Sequence, residues 1–322
     1  MAKHFAERLL GAIEEKQTPA MVGLDPVYTS LPKQIREIAA HSKSGLPEHA
    51  AAVNEFCQVV IDIVAPHIPA VKLQMAHFEL CGPAGLEAYH RVVDYAKSQG
   101  LIVVGDIKRA DIGSTSEALA SAYLDEVYIP DGSGGERAVS VDAITVNPYF
   151  GTDGVKPFID KARDNGQGIF VVVRSSNPSA REIQDLADAE GRRVFQHVAV
   201  KVNEWANFPG CVGDSGYSLV GAVVGATYPD EARMLRQVMP NSLFLVPGYG
   251  AQGATGEDSV AAFHDDGWGA VVNSSRGIIY AWTRPGYEAY SEDTWEEAVE
   301  AAILSMKFDL ADALAKRVAA AS

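Results

Sequence analysis

The chain has 322 residues, of which 47% are hydrophobic, and its formal net charge is −15. Length and hydrophobic content allow a large core, while the acidic balance disfavours nucleic acid or an anionic membrane as a general partner. A local basic pocket can still bind an anionic small molecule. No apolar run reaches the roughly 20 residues that a membrane-spanning helix needs, and residues 1–8 lack the apolar segment of a signal peptide.

Short apolar runs alternate along the chain with longer segments of helical pattern, and each run is predicted to be a strand. The predicted strands are residues 20–24, 70–73, 101–105, 143–146, 168–173, 219–224, 243–246 and 270–272. Helices are predicted between them, for example over residues 53–64, 85–98 and 230–238, and a last helix over 294–321. Alternating strands and helices imply a parallel sheet, and eight such units favour a (β/α)8 barrel. We therefore expect residues 1–322 to form a single α/β domain, a TIM barrel with insertions and a C-terminal helical extension.

Two segments stand out as insertions in this pattern. Within the 125–140 insertion, residues 131–136 are rich in glycine and are expected to form an exposed flexible loop. Residues 174–218 join the fifth and sixth predicted strands and include a helical stretch over 180–206. A connection of this length in a compact domain is often a functional cover.

The most informative motif follows the third predicted strand and has the spacing Asp-x-Lys-x-x-Asp. It contains Asp106, Lys108 and Asp111. Residues i and i+2 of a strand point to the same face, about 7 Å apart along the chain, so Asp106 and Lys108 are predicted neighbours. Asp111 falls on the following loop or on the first turn of a helix. Charges at the end of a buried strand are usually paired or functional, and the full spacing favours function over a structural surface salt bridge.

Two more charged residues lie at the ends of the first two predicted strands, Asp25 and Lys72. Taken alone, Asp25 fits a turn or cap residue before Pro26, and Lys72 fits a lysine whose ammonium group reaches solvent. In a barrel, however, the first three strands are adjacent, and their carboxyl ends meet at one mouth. The charges would then alternate in sign, which keeps each lysine cationic and each carboxylate ionised.

A glycine-rich segment with Gly248, Gly250 and Gly253 follows the seventh predicted strand. Its Gly-x-Gly-x-x-Gly spacing can indicate a dinucleotide site, but the next strand ends in Asn-Ser-Ser-Arg rather than in the required acidic residue. Loops after strands seven and eight of a barrel commonly bind phosphate, and free backbone N–H groups there can face the anion. Arg276 can bind that phosphate bidentately, with a surface ion pair as the alternative.

These motifs, in order from Gly23-Leu24-Asp25 to Asn273-Ser274-Ser275-Arg276, resemble the longer bacterial (type 2) branch of the orotidine 5'-phosphate decarboxylase family. The resemblance covers nearly the whole chain. It implies conversion of orotidine 5'-monophosphate to uridine 5'-monophosphate and CO2, the last step of de novo UMP synthesis, without a cofactor or a metal. It also implies a homodimer in which Asp111 reaches the active site of the partner subunit.

The same resemblance implies roles for individual residues. The catalytic positions are Lys108, Asp106, Asp111 and Lys72, with Lys108 as the proton donor. The substrate-binding positions are Asp25, Ser176, Gln252 and Arg276; Thr115, four residues after Asp111, and Gly250, in the glycine loop, are also predicted to bind substrate. From the residues alone, Ser176 also fits a helix N-cap or a turn, and Thr115 fits a helix cap.

The residues leave three other classes of function open. A Mg²⁺-dependent sugar-phosphate decarboxylase or aldolase on the same barrel would need an acidic ligand set. A Schiff-base aldolase would use Lys72 or Lys108, although the flanking carboxylates keep both lysines protonated. A nucleotide-sensing module would retain the phosphate site alone. Neither the eight histidines nor the three separated cysteines show metal-ligand spacing, and the cysteines fit a reducing compartment, so we expect a cytoplasmic enzyme.

Overall fold

The computed structural model describes residues 3–130 and 135–321, and these form a closed barrel of parallel strands. The strands are β1 (Ala20–Leu24), β2 (Ala70–Gln74), β3 (Ile102–Arg109), β4 (Val127–Pro130), β5 (Glu136–Val139), β6 (Ala143–Val146), β7 (Gly168–Arg174), β8 (Ser218–Val224), β9 (Ser242–Pro247) and β10 (Ala270–Ser274). The order around the barrel is β1-β10-β9-β8-β7-β6-β3-β2, and β4 and β5 pair separately. The predicted barrel class and all of its predicted strands are confirmed.

Helices cover the outside of the barrel, so the strands are buried on both faces, which explains their continuous apolar sequences. The helices are α1 (Phe5–Lys16), α2 (Lys33–Ala40), α3 (Glu48–Val64), α4 (Met75–Glu79), α5 (Gly82–Ser98), α6 (Gly113–Leu124), α7 (Thr152–Asn165), α8 (Arg181–Gln184), α9 (Val194–Ala206), α10 (Pro229–Val238), α11 (Gly256–Val260), α12 (Arg276–Ile279) and α13 (Trp295–Ala321). Within the described ranges, no helix is both long and apolar enough to cross a membrane.

Helix α1 covers the amino-terminal end of the strands. The ring of Phe5 packs edge-on against Phe170 at 5.8 Å between centroids. A Cβ at Gly168 would lie 2.3 Å from the Phe5 ring, so only glycine leaves room for this contact. Arg8 adds an ion pair to Asp142, just before β6. The opposite, carboxyl-terminal end of the barrel, called the mouth below, is where binding sites form in this architecture.

The two insertions differ from the sequence expectations in detail. Strands β4 and β5 form an antiparallel pair, with Val127 opposite Val139. Residues 131–134 of the expected flexible loop lie outside the described residues, whereas Glu136 begins a strand instead of belonging to the loop. In the 174–218 insertion, the expected helical stretch is divided into α8 and α9, which are separated by residues 185–193.

Candidate active site

Strand β3 carries Asp106 and Lys108 to the mouth on the same face, as predicted. The Asp106 residue is 4% exposed, and its Oδ1 lies 2.5 Å from Nζ of Lys108. Lys108 has φ of 45°, in the left-handed region, where the β3–β6 register shifts between Gly105 and Arg109. This conformation costs a non-glycine residue about 1–2 kcal/mol. The backbone is therefore strained at the lysine that the sequence singled out.

The charge network continues inward from β3 to β2 and β1. Nζ of the buried Lys72 lies 2.7 Å from Oδ2 of Asp106 and 3.6 Å from Oδ1 of Asp25. Burial alone would lower the pKa of Lys72, but the Asp25 and Asp106 carboxylates raise it to about 12. Carboxylates and lysines thus alternate from Asp25 to Lys108, and the predicted network is confirmed for these four side chains.

Asp106 is ionised in spite of its burial. Burial would raise the pKa of this carboxyl, but the charges of Lys72 and Lys108 outweigh it and hold the pKa well below its usual range. Two neutral donors support the same ion. Oγ1 of Thr145 donates to Oδ1 at 2.8 Å, and Nε2 of Gln74 donates to Oδ2 at 3.1 Å. A carboxylate with this many donors is fixed in position as well as in charge.

The sequence analysis missed Thr145, Gln74 and Asn273. Gln74 had a detectable signal, because it lies two residues after Lys72 and so shares its face of β2. Thr145 also accepts the N–H of Lys108 at 2.9 Å, which fixes the strained backbone. Asn273 is 5% exposed, lines the cavity at the mouth, and has an Oδ1 without a partner among the described residues. A polar side chain within an otherwise apolar strand was the available signal for Thr145 and Asn273.

Two adjoining cavities open at the mouth. The inner cavity has a volume of about 250 Å³. Its lining includes Asp25, Lys72, Asp106, Lys108, Ser176, Gln252 and Asn273. The outer cavity has a volume of about 660 Å³. It is lined by Ser176, Asn177, Pro178, Arg181, Thr227, Tyr228, Gln252 and Arg276. An elongated ligand can therefore place one end against the charge network and the other beside Arg276.

In the glycine loop after β9, the N–H groups of Gly250 and Gly253 are not free to bind an anion. The Gly250 N–H donates to the Ala254 carbonyl, and the Gly253 N–H donates to the Gly250 carbonyl, both at 2.9 Å. The expectation is therefore wrong for these two residues. At the start of α12, the N–H groups of Arg276 and Gly277 have no intrahelical acceptor. Gly250, with φ of 70°, shapes the loop beside them.

Asp111 and Thr115 lie on the outer rim of the mouth. Oδ1 of Asp111 accepts the N–H of Ile112 at 2.8 Å, and the Asp111 carboxylate makes no ion pair with Lys108 within the described chain. Thr115 is exposed in the first turn of α6. Of the ten predicted residues, six line the inner cavity and Arg276 lines the outer one, whereas Asp111, Thr115 and Gly250 line neither.

The carboxylates at the mouth pair with lysine side chains and do not form a metal-ion site within the described residues. Within residues 3–130 and 135–321, no group of three or more His, Cys, Asp or Glu side chains is arranged to hold a metal ion. Both oxygens of Asp106 already accept hydrogen bonds or ion pairs from protein donors. These charges and donors are held in fixed positions, so they can act electrostatically on a bound anionic ligand.

Comparisons with known proteins agree with this geometry. Residues 19–289 match the model of the orotidine 5'-phosphate decarboxylase / HUMPS family. The orotidine 5'-phosphate decarboxylase of Rhodopirellula baltica is 43% identical over 307 residues, covering 95% of this chain and 98% of the relative. That of Caldicellulosiruptor bescii is 38% identical over 307 residues, covering 93% and 99%. The structure of Leishmania donovani OMP decarboxylase has a TM-score of 0.71 at 26% identity, covering 97% and 99%. The chain belongs to the orotidine 5'-phosphate decarboxylase / HUMPS family.

Proposed function

We propose that this protein decarboxylates orotidine 5'-monophosphate to uridine 5'-monophosphate in pyrimidine biosynthesis, without a cofactor. The observation that carries the proposal is the buried Asp106, ionised between Lys72 and Lys108 at the wall of the inner cavity. Family membership and the names of the relatives support the same reaction. Free Cys57, Cys81 and Cys211 support a cytoplasmic location, where thiols stay reduced.

Lys108 is proposed as the proton donor. When the bond between C6 of the pyrimidine and its carboxylate breaks, CO2 leaves and the electron pair stays on C6. The ammonium group of Lys108 stabilises that developing charge and then transfers a proton from Nζ to C6. Lys108 ends the cycle neutral and takes up a proton from solvent. Its side chain is 47% exposed in the absence of substrate, so solvent can reach it.

Asp106 is proposed to act on the substrate carboxylate. Two like charges about 4 Å apart repel by about 4 kcal/mol at an effective dielectric constant near 20. The repulsion disappears as CO2 leaves, which favours the transition state over the bound substrate. Lys72, Thr145 and Gln74 hold Asp106 ionised and in place, so little reorganisation is needed during the reaction.

The remaining substrate groups fit the two cavities. Ser176 is proposed to contact the pyrimidine amide, and Asp25 and Lys72 the ribose hydroxyls. Oδ1 of Asp25 is buried, and Nζ of Lys72 lies 3.6 Å from it, beyond hydrogen-bond distance, so this oxygen can still accept a hydrogen bond from a ligand hydroxyl. Gln252 and Arg276 would hold the 5'-phosphate in the outer cavity, with Gly250 shaping the adjoining loop. Binding energy from that remote phosphate can order the loops around the reacting carbon.

A homodimer with shared active sites is also proposed. Asp111 and Thr115 lie on the rim instead of in their own cavity, which suits residues that reach into a partner subunit. The same rim exposes three large apolar side chains: Ile112 is 53% exposed, Tyr149 85% and Phe150 48%. Exposed apolar residues that cluster in this way are typical of a protein contact surface.

The deciding experiment follows the loss of orotidine 5'-monophosphate absorbance with purified protein, with and without EDTA. Rapid, EDTA-insensitive formation of uridine 5'-monophosphate is the expected result. A folded protein that gave no conversion would contradict the proposal, and conversion that EDTA abolished would contradict its cofactor-free form. The Mg²⁺-dependent alternative is not favoured, because lysines and neutral donors already occupy both oxygens of Asp106.

A further inference from the structure

The outer cavity contains a second arginine in addition to Arg276. Arg181, the first residue of α8, lines this cavity together with Arg276 and Gln252. Its side chain is exposed, and no carboxylate of the described residues lies within ion-pair distance of it. The guanidinium group of Arg181 is thus available to an anion in the cavity.

Two hydrogen bonds join the ends of the segment that carries Arg181. The N–H of Ser175 donates to Oε1 of Gln184 at 3.1 Å, and Nε2 of Gln184 donates back to Oγ of Ser175 at 2.7 Å. Residues 175–184 therefore form a loop with fixed ends, directly after β7. This anchoring reduces the conformational entropy that Arg181 must lose when it binds a ligand.

A rigid aromatic platform lies under Arg181. Its guanidinium carbon is 5.6 Å from the centre of the Tyr228 ring, and that of Arg174 is 4.1 Å from the same ring. Arg174 is fully buried and is bound by Glu231 at 2.7 Å and by Asp185 at 2.8 Å. The Tyr228 ring thus packs against a buried, ion-paired arginine, and its contact with Arg181 keeps that side chain beside the cavity.

We propose that Arg181 is a second phosphate-binding residue, so that the 5'-phosphate of the nucleotide lies between Arg181 and Arg276. This rests on the proposed function and assigns a role in substrate recognition to the 174–218 insertion. A phosphate monoester carries a charge of about −1.5 to −2 at pH 7, more than one guanidinium group neutralises. In a chain of net charge −15, a second local cation also offsets the repulsion of the incoming nucleotide.

The test compares the dissociation constants of uridine 5'-monophosphate and uridine by calorimetry. Arg181→Ala is expected to weaken binding of the nucleotide about 10- to 100-fold, the usual effect of losing hydrogen bonds to a charged group, and to leave uridine binding unchanged. Arg181→Lys should restore part of the loss, because it keeps the charge without the bidentate geometry. Arg192→Ala is the matched control, since Arg192 is an exposed arginine of the same insertion outside the cavity.

Three outcomes would overturn the inference. Nucleotide affinity in Arg181→Ala could equal that of wild type, it could fall no further than in Arg192→Ala, or uridine binding could weaken to the same extent as nucleotide binding. The last outcome would mean that the substitution disturbs the cavity as a whole. Because the readout is equilibrium binding, it remains decisive even if the wild-type protein fails to decarboxylate orotidine 5'-monophosphate, which would overturn the proposed function alone.

Discussion

The proposed proton donor occupies a backbone conformation that its own side chain disfavours. Lys108 and Gln17 are the non-glycine residues with positive φ in the described ranges, and Gln17 ends a helix, where that conformation is common. Lys108 lies at the end of a strand, and its N–H is held by Thr145 at 2.9 Å. Strain of this kind persists where surrounding contacts determine it, and it is frequent at functional sites.

The strain at Lys108 predicts that glycine is a more stabilising substitution than alanine at this position, the reverse of their order within a helix. Lys108→Gly should be more stable than Lys108→Ala by about 1 kcal/mol, because only glycine adopts the left-handed region without cost. Urea denaturation of both variants measures the difference. Lys156, exposed within α7, is the matched control, and there alanine should be the more stable substitution by about 1 kcal/mol. An alanine variant that is also the more stable at position 108 would contradict the strain.

Removal of the Lys108 side chain should separate chemistry from binding. Lys108→Ala is expected to lower kcat by a factor of about 100 to 10,000 or more, because the proton donor is lost. Uridine 5'-monophosphate should still bind with nearly wild-type affinity, since Ser176, Gln252 and Arg276 are unchanged. Steady-state kinetics and calorimetry measure the two effects. Activity near that of wild type would reject Lys108 as the acid.

Thr145 is expected to act by positioning its charged neighbours. Thr145→Val removes the hydroxyl that donates to Asp106 and accepts from Lys108, and it should lower kcat about 10- to 100-fold while KM changes little. Thr145→Ser keeps the hydroxyl and should retain most of the activity. Equal losses of kcat in both variants would indicate that the methyl group and its packing matter instead.

At the scale of elements, the 174–218 insertion depends on one buried cation. Arg174→Met should lower the free energy of unfolding by about 2 kcal/mol, because the partly buried Glu231 and Asp185 lose charge-assisted hydrogen bonds and ion pairs to a fully buried guanidinium group. Arg193→Ala is the control. Arg193 also pairs with Glu231, but its side chain is 47% exposed, so its loss should cost less than about 1 kcal/mol. Chemical denaturation that gave equal values for both variants would remove Arg174 as the anchor.

The barrel strands were predictable from sequence, because strands buried on both faces leave continuous apolar runs. Their polar ends were less predictable. Strand β3 runs to Arg109, four residues past the predicted end at 105, because Arg109 pairs again with β6 after the register shift at the charged segment. The β4–β5 hairpin was not predicted, because its strands, Val127–Pro130 and Glu136–Val139, are short and flank a glycine-rich segment.

The charged residues of the site were predictable from sequence, whereas residues whose role depends on contacts in the folded protein were not. Asp25, Lys72, Asp106 and Lys108 were identified because ionised residues at the ends of apolar strands are costly without a role. The part played by Thr145 depends on the register of β6 against β3, which spacing along the chain does not reveal. The internal hydrogen bonds of the Gly250 loop likewise depend on its folded geometry.

At the scale of the whole molecule, the proposed homodimer with shared active sites predicts complementation between inactive subunits. Lys108→Ala and Asp111→Ala should each be nearly inactive alone. After subunit exchange, half of the dimers are mixed, and each mixed dimer has one site with both residues intact, so the mixture should regain about a quarter of wild-type activity. The assay is decarboxylation before and after exchange, with unmixed variants as controls. No gain in activity from verified mixed dimers would place Asp111 in its own subunit's site.

The left-handed backbone at Lys108 also has an evolutionary consequence. Selection for decarboxylation keeps a lysine at a position where the main chain favours glycine or asparagine, so this position opposes folding stability for as long as the activity is needed. A duplicated copy released from that selection no longer needs the ion pair between Lys108 and Asp106, and a glycine at this position relieves the backbone strain. In such a lineage we expect position 108 to change early and to change toward glycine, so this residue would record when the copy ceased to be an enzyme.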